Sequence, residues 1–185
     1  IDKLKELGLE ENTIVIFTGD NGTARAVHTN MKDGTVFRGG KGLTMDAGIH
    51  VPLFVQWKGK IKGNSVCEDL IDFTDFMPTV AEITGANLPC GSHYVADGHS
   101  FLPQLLGKKG FRRDWVFFHF DRNPEVATVN PAYKRARFIR SKTFKLYDNG
   151  EIYNVQKDPD ELLVIAPEQL SAKNRRELKK SPTGS

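Results

Sequence analysis

The stretch Asn12-Thr13-Ile14-Val15-Ile16-Phe17-Thr18-Gly19-Asp20-Asn21-Gly22 decides how the rest of this chain is read. Its centre, Thr13 to Thr18, is a continuous β-branched and apolar run, the pattern of a strand covered on both faces, as in a parallel sheet. Turn chemistry follows at once in Gly19-Asp20-Asn21-Gly22. Upstream, Ile1, Leu4 and Leu7 recur at helical spacing, and Gly8 stands where a helix C-terminus favours a left-handed residue. Helix then buried strand is half of an α/β unit, and no strand precedes the helix in the sequence. Beginning on Ile1 rather than Met, the chain is expected to be a piece of a longer one.

Downstream, Thr23 to Thr44 is Gly-rich and basic without clear period, so it reads as a long loop of the kind that usually serves function. A second buried strand is predicted at Val51 to Trp57. Phe76, Met77, Val80 and Ile83 mark one face of a helix closed by Gly85. Beyond Pro89 the character changes to short strand-like runs at Trp115 to Phe120, Arg137 to Arg140, Phe144 to Tyr147 and Glu151 to Asn154. Asp148-Asn149-Gly150 is a hairpin signal between the last two. A small antiparallel sheet is therefore expected, followed by a helix from about Pro167 to Lys180.

The 185 residues are 39% hydrophobic and 26% charged, ordinary for a globular chain with room for one substantial core. No apolar run approaches the roughly 20 residues of a membrane helix, so no membrane partner is expected. Formal net charge is +3, with much of the excess between Lys173 and Lys180. Such a tail can touch anionic polymers, but at this charge density a solvated helix face is the better reading, and no nucleic-acid partner is expected. Cys67 and Cys90 lie in no CxxC pair and no zinc spacing; one disulfide and two buried thiols both fit.

Asp20-Asn21 is the first candidate for chemistry. Functional groups collect just past the carboxyl ends of strands in open α/β sheets, and carboxylate and amide oxygens are hard ligands suited to calcium or magnesium. An Asx turn ending the strand explains the same pair, and two ligands fall short of the roughly six oxygens such an ion takes. Arg38-Gly39-Gly40-Lys41-Gly42 is the second. Glycines admit close backbone approach and Lys41 offers a compact positive charge to an anionic oxygen; a surface loop with a lone lysine is the plain alternative. A phosphate-binding P-loop is excluded, because Gly40 stands where its lysine belongs. Of the histidines His28, His50, His93, His99 and His119, none forms an HxxxH or HExxH pattern. His28 shares the long loop and could meet a substrate, whereas His119, in Phe117-Phe118-His119-Phe120, reads as a core histidine. No serine lies in GxSxG, so no nucleophile is identifiable.

Taken in order, these segments resemble the arylsulfatase family. Residues 12–22 look like its strand and metal-ligand turn, and Arg38-Gly39-Gly40-Lys41-Gly42-Leu43-Thr44 with Gly48-Ile49-His50-Val51-Pro52 like its lysine loop and following strand. The likeness continues through Asp75-Phe76-Met77-Pro78-Thr79, Asp97-Gly98-His99-Ser100-Phe101-Leu102-Pro103, Leu146-Tyr147-Asp148, Ile152-Tyr153-Asn154 and Asp158-Pro159-Asp160-Glu161. Departures stand at Gly19, where the family commonly has Ser, at Asp46-Ala47 (Glu-Gly), and at His50 (Arg).

The resemblance implies an α/β fold: the C-terminal part of an alkaline-phosphatase-like parallel-sheet core over 1–110, with a small antiparallel β-sheet and C-terminal helix over 111–185. It implies sulfate-ester hydrolysis, with Asp20 and Asn21 as metal ligands for Ca2+ (Mg2+ possible), Lys41 as the group that holds and neutralises a sulfate oxygen, and His28 in the substrate-facing loop. The substrate would be a sulfated small molecule or glycan. The family's formylglycine nucleophile arises from a Cys-x-Pro-x-Arg motif, which neither Cys67 nor Cys90 occupies; it is expected in a missing N-terminal half, leaving this fragment inactive alone. A fragment of a parallel sheet would expose an unpaired edge and self-associate. Family habit favours a periplasmic, secreted or, in an animal, lysosomal setting. The rivals are a phosphomonoesterase or phosphonate hydrolase of the same superfamily and a non-catalytic glycan-binding module.

Overall fold

A computed structural model describes residues 1–88, 96–121 and 135–179. Strand β1 (Ile14–Thr18) pairs with β4 (Leu53–Trp57), the two apolar runs read from the sequence. Helix α1 (Asp2–Glu6) and a 3-10 turn at Glu10–Asn12 precede β1. The Trp57 indole donates to the Glu11 carbonyl (3.0 Å), and Lys58 pairs with Glu10 (2.5 Å). No residue of either strand is fully buried, and Phe17 and Phe54, with ring centroids 6.1 Å apart, are 63% and 65% exposed.

By its internal contacts the chain divides into two units, one of Ile1–Phe17 with Leu53–Arg113, the other of Thr18–Pro52 with Asp114–Ser185. In the first, helix α3 (Phe76–Thr84) follows a 3-10 turn at Phe73–Asp75 and ends on Gly85 in the left-handed conformation. Its interior contact differs from the apolar stripe expected: Met77 and Val80 are exposed, and the buried positions are Asp75, Pro78 and Thr79. Polar anchoring decides this face. Asp75 accepts from the backbone N–H of Asp72 (2.8 Å) and His99 (2.7 Å) and pairs with Arg113 through both carboxylate oxygens. Thr79 donates to the Asp75 carbonyl and accepts from the Phe101 N–H, and the Phe101 ring meets Phe76 edge-on at 5.4 Å. Helix α4 (Leu102–Leu105) follows Phe101. Burial alone pushes the Asp75 carboxyl up, but the Arg113 guanidinium and the backbone donors outweigh it and hold it below the usual carboxylate range.

The second unit carries the antiparallel sheet read from the sequence, in the order β5 (Val116–Phe120), β6 (Ala136–Arg140), β7 (Phe144–Tyr147), β8 (Ile152–Asn154). The β7–β8 turn is the Asp148-Asn149-Gly150 signal: the Gly150 N–H donates to the Tyr147 carbonyl (3.0 Å), and Gly150 sits at φ +89°. Phe144, Ile152 and Leu170 form its core, backed by Leu146, Ile165 and Leu178. Each fully buried large side chain contributes roughly 1.5–3 kcal/mol. The terminal helix divides into a 3-10 turn at Pro167–Gln169 and α5 (Ala172–Lys179).

The stretch expected as one loop over 23–44 contains a hairpin instead. Strand β2 (His28–Asn30) pairs antiparallel with β3 (Val36–Arg38), and Asp33-Gly34 lies in the turn. The Asp33 carboxylate accepts from the Thr35 N–H and hydroxyl, and Gly34 takes φ +85°. Among the described residues no helix is long and apolar enough to cross a membrane. Cys67 is exposed; Cys90 and His93 lie outside the described residues, as does Lys180 of the basic tail.

Candidate functional site

The site residues expected from the sequence all belong to the second unit, and the segments that carry Asp20, Asn21 and Lys41 pack on a short helix, α2 (Asp46–Ile49). The Gly22 N–H donates to the Gly48 carbonyl (2.9 Å), which docks the Asp20-Asn21 turn on α2. Lys41 donates its backbone N–H to the Thr23 carbonyl (2.9 Å), which docks the lysine loop on the same turn. Two glycines make this packing possible. A Cβ on Gly22 would lie 1.9 Å from the Ala47 carbonyl oxygen, and one on Gly40 would lie 2.7 Å from the Ala47 carbonyl carbon. Only a residue without a side chain fits at either point.

Within this frame Asp20 is exposed, while the Asn21 amide oxygen is buried and has no hydrogen-bond partner. A buried polar oxygen without a donor is unfavourable by about 1–3 kcal/mol unless something binds it. The donor set, a carboxylate beside an amide oxygen, is the hard-oxygen type that a calcium ion takes. The residues present therefore fit one side of such an ion. Among the described residues no group of three or more His, Cys, Asp or Glu gathers to complete it.

The Lys41 side chain is exposed at the tip of its loop. Arg25 holds the loop from beside it, Nε donating to the Lys41 carbonyl and Nη2 to the Gly42 carbonyl, both at 3.2 Å. His28 lies on β2 opposite Arg38, whose Nε donates to His28 Nε2 at 3.2 Å. His28 is thus joined to the strand that enters the lysine loop. His119 is half-exposed on β5, 3.9 Å from the Asp121 carboxylate, rather than a core residue.

Several pairings around the site were not readable from composition or motif spacing, although Thr44, Tyr147 and Glu161 stand in the quoted motifs. Asp46 pairs with Arg140 of β6 through two bonds (2.5 and 3.2 Å) and stands 3.8 Å from His50. The Lys145 ammonium, fully buried, donates to the Thr44 carbonyl (2.6 Å) and to the Glu161 carboxylate. The Tyr147 hydroxyl bonds Glu161 Oε2 (2.5 Å) and Thr44 Oγ1 (2.9 Å). Burial lowers the Lys145 ammonium below its ordinary range, only partly opposed by Glu161, and burial with the Glu161 bond raises the Tyr147 phenol. Thr44 and Asp46 sit about 100 residues from their partners on the sheet, a distance that local reading cannot bridge.

The fold is the C-terminal region of an alkaline-phosphatase-like α/β fold, as in solved proteins of the sulfatase class. The profile of the family described as N-sulphoglucosamine sulphohydrolase, C-terminal, matches residues 40–183, and the chain belongs to that family of sulfatases. A sulfatase of Formosa agariphila is 32% identical over 178 residues, which cover 92% of this chain and 32% of the relative. Among solved structures, a protein in complex with its substrate D-glucosamine-2-N,6-O-disulfate superposes with TM-score 0.71 at 25% identity, over 97% of this chain and 35% of that one. The phosphonate monoester hydrolase of Agrobacterium radiobacter superposes at 0.66, also at 25% identity, over 97% and 36%. The chain spans only about a fifth to two fifths of the length of curated relatives it matches.

Proposed function

We propose that this chain is the C-terminal portion of a hydrolase of sulfate esters and supplies its electrostatic half. The observation that carries this reading is the docking of the Asp20-Asn21 turn and the Lys41 loop on one short helix, with the Asn21 amide oxygen buried and unpartnered. Asp20 and Asn21 would hold a divalent cation, calcium by preference, which supplies positive charge next to the ester's anionic oxygens. Lys41 donates hydrogen bonds to a sulfate oxygen and neutralises charge that grows as the ester bond breaks. Arg25 keeps the Lys41 backbone in place, and His28, tied to Arg38, faces the remainder of the substrate. No residue of this chain is assigned the nucleophile; the formylglycine would come from the N-terminal part, which makes the chain inactive alone.

The substrate class that fits is a sulfated sugar, a reading supported by the similar protein solved with a disulfated glucosamine. A periplasmic, secreted or lysosomal setting goes with that class. The phosphonate monoester hydrolase likeness supports a second reading, in which the same lysine and metal turn serve a phosphonate ester. Sequencing the coding DNA upstream of Ile1 separates these from a binding module: a Cys-x-Pro-x-Arg motif is expected, and a start codon immediately before Ile1 would overturn the hydrolase reading. In the full-length enzyme, Lys41→Ala is expected to lower kcat for an aryl sulfate by about 10²–10³-fold. Unchanged turnover would remove Lys41 from the site, and faster turnover of a phosphonate monoester than of the sulfate would favour the second reading.

A further inference from the structure

Lys41 is exposed on a short loop, yet a group that acts by charge must be held still to be effective. The loop's entry is fixed by Gly40 against Ala47 and by the Lys41 N–H on Thr23. Its exit is fixed from the antiparallel sheet. Thr44, three residues past Lys41, is gripped at its carbonyl by Lys145 Nζ and at its hydroxyl by Tyr147, and both grips converge on Glu161. Asp46, two residues further on, is held by Arg140, whose Nη1 is itself bonded to the Ser141 carbonyl (2.8 Å).

The construction of this clamp points beyond packing. Lys145 is fully enclosed, with its ammonium 4.7 Å from the Phe138 ring centroid. Glu161 is one of only two non-glycine residues described at positive φ, +54°, a conformation that persists where the surroundings over-determine it. The preceding turn holds it there: the Asp158 carbonyl accepts the Glu161 N–H, and the Asp158 carboxylate accepts the Leu162 and Leu163 N–H groups. A buried cation and a phenol therefore meet on Thr44, which closes the lysine loop, and the Glu161 carboxylate, on a backbone held at positive φ, joins the two from behind. We propose that Glu161, Lys145 and Tyr147 are positioning residues for Lys41, so that the antiparallel sheet sets the reach of the sulfate-binding lysine. This rests on the reading of Lys41 as a sulfate ligand.

The test is a double-mutant cycle in the full-length enzyme, reading kcat and KM for an aryl sulfate on protein confirmed folded by circular dichroism. Tyr147→Phe, which keeps the ring and removes one hydroxyl, and Glu161→Gln are each combined with Lys41→Ala. Either single change is expected to lower kcat by about 10- to 100-fold, the size seen when outer partners of a functional group are removed. Neither is expected to lower it further once Lys41 is gone. Glu161→Gln is expected to be the more severe, because it disturbs both grips. Equal losses with and without Lys41, or unchanged kcat in the folded single variants, would overturn the positioning role while leaving Lys41 in the site. A Lys41→Ala enzyme with full turnover would instead overturn the sulfate-ligand reading itself.

Discussion

The β5–β8 sheet and the β1–β4 ladder use the same kind of residue to opposite effect. On the β5–β8 sheet, Phe138 and Phe144 are 2% and 1% exposed, enclosed by neighbours from the same unit. On the β1–β4 ladder, Phe17 and Phe54 are nearly two-thirds exposed although their strands read from the sequence as buried apolar runs. An antiparallel sheet whose strands follow one another in sequence assembles its own cover from consecutive segments. A strand of a buried parallel-type core needs partners from distant sequence, and the cover for Phe17 and Phe54 is not among the described residues. Met77 and Val80 of α3 tell the same story, apolar in sequence and exposed in the fold.

That contrast breaks most sharply at Phe144. Phe144→Ala is expected to destabilise the antiparallel-sheet unit by about 3–5 kcal/mol, whereas Phe54→Ala in the same chain is expected to cost under about 0.5 kcal/mol, both read by urea unfolding. Equal costs would mean that the β1–β4 ladder is covered in solution. Next in size is Lys145→Met, which strands the Glu161 carboxylate in a buried site and is expected to cost about 3 kcal/mol or more. Adding Glu161→Leu to that variant should restore most of the loss, because an apolar pair carries no unpaired charge.

The first unit is expected to answer to acid through Asp75. Its carboxyl is held below the ordinary range, so its contribution is complete at neutral pH and is lost as pH falls below about 4, the unfolded carboxylate value. Thermal melts of the wild type and Asp75→Asn should therefore differ most near pH 7 and converge toward pH 3. A constant gap would mean that the Arg113 pairing does not depend on the carboxylate's charge. The smallest effect on stability, but a visible one on association, is expected from Phe54→Ser. The chain alone should self-associate through its exposed ladder, and this variant should shift light scattering toward the monomer. A monodisperse wild-type monomer would sink that expectation.

Much of the fold was legible because its signals are local. The apolar run ending at Thr18, the Asp148-Asn149-Gly150 turn and the Gly85 helix end each depend on a few adjacent residues, and each stands where it was read. The β2–β3 hairpin was equally local, since Asp33-Gly34 is a turn pair, but flanking strands of only three residues lack the alternation that would have betrayed them. The α3 face was misread because a stripe of apolar residues says that a helix can be covered, not which side is. There the buried Asp75–Arg113 pair outranked the stripe.

By itself the sequence determined the candidate site's chemistry, Asp20, Asn21, Lys41 and His28, since ligand type and charge are properties of residues. Only the tertiary structure decided that Asn21 turns an unpartnered oxygen inward, that α2 gathers the Asp20-Asn21 turn and the lysine loop, and that Lys145 and Tyr147, both bonded to Glu161, grip Thr44. The grips on Thr44 join residues about 100 positions apart. Their partners are chosen by packing and by the need to satisfy buried polar groups, which act through space and leave no periodicity along the chain.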